Sequence, residues 1–137
     1  MRRNLFTILT GVVLQKPQVT TAAPATPTRN RLYSDSIVKG WVETSGGGAW
    51  TIDDSLNVSS ITDNATGDFT INWALAWANG NYAIMGAAIG STAVNFSFRE
   101  ATTTAKSTTV VRCGLADGSN TAIDPATGIN VIAVGDQ

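Results

Sequence analysis

The most constraining stretch of this sequence is Ser55 to Ala74, SLNVSSITDNATGDFTINWA. Phe69, Ile71 and Trp73 alternate with Asp68, Thr70 and Asn72. Successive side chains of a strand point to opposite faces, so this period of two describes a strand buried on one side. An α-helix cannot use the pattern, because it would scatter the three large apolar groups around its circumference. Val58 to Thr62 precedes it as a second strand. Asp63–Asp68 between them carries Asp, Asn and Gly, the residues that cap turns and accept the left-handed conformation. The segment reads as strand, turn, strand.

The same reading extends along the chain. IVKGWVE (37–43) is a strand, SGGG (45–48) a turn, and AWTID (49–53) a second strand. ANGN (78–81) breaks the chain before YAIMGAAI (82–89). Val94, Phe96 and Phe98 alternate with Asn95, Ser97 and Arg99. STTVVRCGL (107–115) follows, then the ADGSN and DPATG turns (116–120, 124–128), and INVIAVG (129–135). No stretch shows sustained helical periodicity, and there is no internal repeat. Seven or eight short strands with frequent turns predict an all-β fold, a compact antiparallel β-sandwich of jelly-roll-like form. The 137 residues fit one such domain at 37–137, preceded by an extended arm at 1–36.

Charge is scarce and unevenly placed. Charged residues are 14% of the chain, against ~25% in ordinary soluble domains. Such a surface suits an assembly in which neighbours cover it. Arg2, Arg3, Lys16, Arg29 and Arg31 all precede the first acid, Asp35. A basic arm therefore joins an acidic body, and the two attract each other or neighbouring subunits. The five cations are scattered and Phe6 is the only aromatic among them, so a nucleic-acid partner is not expected.

The arm begins like a secretory signal, with Arg2 and Arg3 before an apolar run from Leu5 to Leu14 and small residues at Thr21–Ala25. That run is too short to cross a bilayer, so membrane insertion is not expected. Pro17, Pro24 and Pro27 follow in a Pro/Thr stretch that favours extended backbone and offers little to a core. Beside the export reading stands the one adopted here: a retained arm laid along a partner. Its anchor would be Leu5, Phe6, Ile8, Leu9, Val12, Val13 and Leu14.

Catalytic chemistry is poorly represented. There is no histidine, hence neither the commonest general base nor the commonest metal ligand. Cys113, alone in the apolar run VVRCGL, reads as a buried, inert thiol. Asp53, Asp54, Asp63, Asp68, Asp117 and Asp124 fall where turns are expected and read as caps rather than a catalytic pair. DNATGD lacks the order of acids a calcium loop needs. Glycine is present, but no phosphate-cradling pattern is. The sequons at Asn57, Asn64 and Asn95 arise readily in so Asn/Thr/Ser-rich a chain, and Asn57 and Asn95 fall in expected strands, whereas an acceptor belongs on a surface loop. Of four tryptophans, Trp41, Trp50 and Trp73 read as core or interface residues. Trp77, beside a predicted loop, is the candidate for surface recognition. No enzyme, metal or cofactor is expected.

Lys39-Gly40-Trp41-Val42, the Gly-rich turn, Ile52-Asp53-Asp54-Ser55, Leu56 to Asn64 and Thr66 to Asn72 together resemble a module of tail-fibre and other appendage proteins of tailed bacteriophages. Asn81-Tyr82-Ala83, Ile123-Asp124-Pro125 and Ile129-Asn130-Val131 fit the same module, so the likeness covers roughly residues 37–135. The resemblance implies a non-enzymatic virion protein with a compact β fold in a homo-oligomer. A homotrimer is the assembly expected, since it would cover exposed sheet edges, and a host-surface glycan or receptor is a candidate further partner. Only the arm precedes the module, where such modules often end longer fibres. A protein mounted directly on tail, neck or capsid is therefore expected, its arm docked on other virion proteins. A capsid or neck decoration (cement) protein, its arm stapling neighbouring subunits, is the alternative. A cellular or secreted carbohydrate-binding sandwich is a reading from outside the virion.

Overall fold

A computed structural model describes residues 37–47, 49–89, 96–101 and 106–137. The arm, with its proposed anchor at Leu5, Phe6, Ile8, Leu9, Val12, Val13 and Leu14, lies outside the described residues.

Among the described residues eight strands form, and the expected all-β fold is what they build. They are β1 (Val38–Ser45), β2 (Thr51–Leu56), β3 (Val58–Ala65), β4 (Asp68–Trp73), β5 (Ala83–Ile89), β6 (Phe96–Glu100), β7 (Val110–Asp117) and β8 (Gly128–Val134). They lie in two four-stranded sheets, ordered β2-β1-β8-β5 and β3-β4-β7-β6. Every pairing is antiparallel. β1 and β8, the first and last of the described strands, pair in the middle of the first sheet, so its central ladder closes only when both ends of the module are present.

The alternation in β4 does what its period predicts. Phe69, Ile71 and Trp73 are buried, and Asp68, Thr70 and Asn72 face outward. From β7, Val111, Cys113 and Leu115 join the same inner face, opposite Val42 of β1 and Ile129, Val131 and Ala133 of β8. Burying each Val, Ile, Leu or Phe among them contributes about 1.5–3 kcal/mol. The rings form two groups. Phe69 sits between Trp50 and Phe98, with centroids 5.6 and 6.5 Å away. Trp73, Trp77 and Tyr82 form the other, with Trp77 stacked on Tyr82 at 4.4 Å. Gly40 makes room for this group, since a Cβ there would lie 2.7 Å from the Trp73 ring.

Three local features differ from the sequence expectation. β3 continues to Ala65, so the turn shrinks from Asp63–Asp68 to Thr66 and Gly67, and Asp63 and Asp68 become ladder residues. Asp53 and Asp54 likewise belong to β2, which runs on to Leu56. Asn57 is not a strand residue. It adopts φ 58° and forms a one-residue corner where the chain leaves the first sheet for the second. Its side chain closes on Leu75, donating to the carbonyl at 3.2 Å and accepting from the amide at 2.6 Å. Asn tolerates this left-handed backbone because its short amide satisfies local groups.

Candidate functional site

The sandwich has two outer faces of opposite character. On the β3-β4-β7-β6 sheet the exposed side chains form a bonded polar surface. Asn72 donates to Ser60 Oγ at 3.1 Å and to Thr62 Oγ1 at 3.2 Å. Asn64 donates to Asp68 Oδ1 at 3.2 Å and to Thr70 Oγ1 at 3.0 Å. Arg112 grips Asp68 with two bonds, one from Nε to Oδ1 at 2.7 Å and one from Nη2 to Oδ2. That paired geometry outlasts a single exposed contact. It holds the Asp68 carboxyl below the ordinary carboxylate range.

Beside this pair lies a hollow of about 400 Å³, lined by Thr66, Asp68, Arg99, Gly114 and Ala122 among others. It is concave because Gly114 has no side chain. A Cβ there would stand 3.0 Å from Arg99 Nε. Arg99 Nη1 donates to Asn120 Oδ1 in a long contact of 3.4 Å. The hollow thus offers guanidinium donors, a Thr hydroxyl and a carboxylate kept ionised by Arg112. Such groups can hydrogen-bond a hydroxylated or anionic group. A carboxylate held in its charged form is a poor proton donor at neutral pH.

The outer face of the β2-β1-β8-β5 sheet is apolar. Leu56, Trp41, Ile132 and Met85 stand in one row, each the register partner of the next across all four strands. Leu56, Met85 and Ile132 are 46%, 63% and 37% exposed. Val38, Val134 and Ala83 form a second row alongside. On the other side, Asp54 pairs with Glu43, and Glu43 with Asn130. No described residue of the chain covers these rows. Sequence reasoning missed this face, although its signal was present. YAIMGAAI and INVIAVG are apolar at both parities of the strand, whereas β4 alternates. Two-sided apolarity marks a strand covered on both faces.

The predicted recognition residue is corrected. Trp77 is 2% exposed and stacked on Tyr82, with the Gly135 backbone close beside that pair. Its amide donates to the Thr108 carbonyl at 2.8 Å, which folds the loop inward and takes the ring with it. Proximity to a loop is not exposure, and Trp77 has no face left for a ligand. Tyr82 anchors this end. Its hydroxyl accepts from Trp73 Nε1 at 3.0 Å and lies 3.0 Å from both the Ser107 and Val110 carbonyls. Burial pushes its phenol up to about 12.

Cys113 is fully buried and its thiol is pushed up to about 12, chiefly by that burial. It is inert as a nucleophile. Two acids act as caps: Asp117 accepts from the Ser119 and Thr121 amides at 2.9 and 2.8 Å, and Asp124 from the Gly67 amide at 2.7 Å. Among the described residues, no three of His, Cys, Asp and Glu gather as a metal site would require. Comparisons of the chain with protein-family models, with curated proteins and with solved structures give no match.

Proposed function

We propose that this chain is a non-enzymatic structural protein of a tailed-bacteriophage virion, a short tail or neck appendage. In this reading residues 1–36 dock on the particle and the β module stands outside it. The observation that carries the reading is the apolar row Leu56–Trp41–Ile132–Met85 on the outer face of one sheet. A contiguous exposed apolar surface of this kind marks a contact with another protein. It agrees with the low charge of the chain and with the phage-appendage resemblance of residues 37–135.

The polar sheet would then be the solvent-facing side, and its hollow at Arg99 and Gly114 the place for a host-surface glycan or receptor. A homotrimer is the assembly proposed, and several weak contacts in one trimer would add in avidity. The same apolar row also serves the second reading, a capsid or neck cement protein. There the module caps the shell and the arm makes the assembly.

The test is the composition of gradient-purified particles from the source of the chain. Peptides of this protein are expected at a fixed ratio to the major structural proteins, surviving a salt wash. Recovery only with soluble protein would overturn the reading. The solution mass of the module separates the two forms: a trimer for the appendage, a monomer for the cement protein.

A further inference from the structure

Two arginines stand on the outer face of the β3-β4-β7-β6 sheet, and they are engaged differently. Arg112 is forked onto Asp68, with Nε on Oδ1 at 2.7 Å and Nη2 on Oδ2. Arg99 is exposed, and its 3.4 Å reach to Asn120 is longer than the usual N–H···O distance of about 2.7–3.2 Å. That is a small use of a planar group with five donors. Gly114 fixes where the group sits. It is the register partner of Asp68 on one side and of Arg99 on the other. A Cβ at Gly114 would meet Arg99 Nε at 3.0 Å and Cγ at 3.3 Å, so the arginine leans from its edge strand onto β7, over the glycine.

Asp68 and Arg99 thus flank the hollow two strand spacings apart, about 10 Å between their backbones. Its volume of about 400 Å³ is that of a small-ligand site, and Gly114, Ala101 and Ala122 are too small to fill it. Asp68 brings acceptors to its side. A carboxylate has about four lone-pair positions. Among the described residues three donors reach Asp68: Arg112 Nε and Asn64 Nδ2 on Oδ1, and Arg112 Nη2 on Oδ2. One position on Oδ2 is left for a hydroxyl. Thr66 adds a hydroxyl at the rim.

This pairing of a fork with a fixed carboxylate selects a ligand. A neutral sugar would donate to Asp68 and leave the fork unmatched. A phosphate would match the fork, but its second negative charge would face Asp68 across the same hollow. A sugar acid meets both sides, with a planar monoanionic carboxylate at one edge and hydroxyl donors at the other. We propose that this hollow binds an acidic sugar residue of the uronic-acid type, its carboxylate on Arg99 and a ring hydroxyl donating to Asp68 Oδ2. The proposal rests on the reading of this sheet as the host-facing side and names the class of glycan it takes.

The experiment is a titration of the full chain, labelled with nitrogen-15, that follows the Gly114 amide and the Arg99 Nε–H by NMR. The probes are glucuronic acid, glucose and glucose 6-phosphate. Glucuronic acid is expected to move both signals with roughly millimolar affinity, and the other two to bind at least about tenfold more weakly. Arg99→Gln should weaken glucuronic acid at least about tenfold and leave the weak glucose response unchanged. Arg99→Lys keeps the charge without the fork and should recover only part of the loss. Thermal melts check that both variants stay folded.

Equal affinity for glucose overturns the proposal, and so does binding of glucose 6-phosphate as tight as that of glucuronic acid. Shifts confined to other parts of the module, binding that survives Arg99→Gln, or no response to glucuronic acid also overturn it. If it fails while the protein is still found in purified particles, the virion reading stands with a different receptor. If glucuronic acid binds here and the protein is absent from particles, this inference stands and the virion reading falls.

Discussion

The two sheets share one core and differ on their outer faces. On β3-β4-β7-β6 the exposed side chains are bonded to one another, with Asn64, Asn72 and Arg112 each satisfying neighbours. On β2-β1-β8-β5 the exposed row is Leu56, Trp41, Ile132 and Met85, which have nothing comparable to offer one another in water. The first surface is finished as it stands. The second leaves large apolar side chains facing water. A polar face buys its stability inside the module, whereas an apolar face gains it on association.

That difference can be broken or sharpened by substitution. The largest effect belongs to the core both sheets share. Phe69→Ala removes the ring between Trp50 and Phe98 and should destabilise the module by about 3–5 kcal/mol in urea unfolding. A loss below about 1 kcal/mol would mean the sheets are not packed through this ring. Next comes Tyr82→Phe, which strands the buried Trp73 Nε1–H and should cost about 1–3 kcal/mol, read in the same assay.

On the polar face, Asp68→Asn should cost about 1 kcal/mol at neutral pH, because the Arg112 fork loses its charge partner across a partly exposed site. The pH dependence carries a sign. The native Asp68 carboxyl titrates below its unfolded value, so its contribution is complete above about pH 4 and is lost as pH falls through the lowered native value. Acid unfolding should be shallower in the variant than in the parent, and identical acid profiles would refute the assignment. The smallest stability effect is expected on the apolar face. Met85→Glu should move the unfolding free energy by no more than about 0.5 kcal/mol, yet it should reduce binding of a hydrophobic dye or lower the solution mass. A large loss of stability there would show that the row supports the fold rather than an interface.

Much of the fold was legible in residues next to one another. Phe69, Ile71 and Trp73 announced β4, and Val111, Cys113 and Leu115 repeat its logic in β7. What was not legible depends on partners distant in sequence. Asp68 looked like a turn residue because nothing nearby showed that Arg112 would lie across from it, 44 residues on. Asn57 sits between good strand formers, and only its tie to Leu75 makes it a corner. Trp77 looked available because it lies in a loop, and the bond from its amide to Thr108 is what hides it. The order of strands within each sheet is likewise outside the reach of pattern, since alternation fixes which way a side chain points and not which strand lies beside it.

The central pairing of β1 with β8 has a mechanical consequence. Val38 opposes Val134, so both ends of the module leave from the same end of one ladder. Tension between those ends would peel the ladder open one bond at a time. Tension carried by residue 37 along the axis of β1, against a load on the far loops, would instead shear the ladders to β2 and β8 together. The module is built like a tab that resists a straight pull and yields to peeling, a distinction that force spectroscopy along the two directions would read directly.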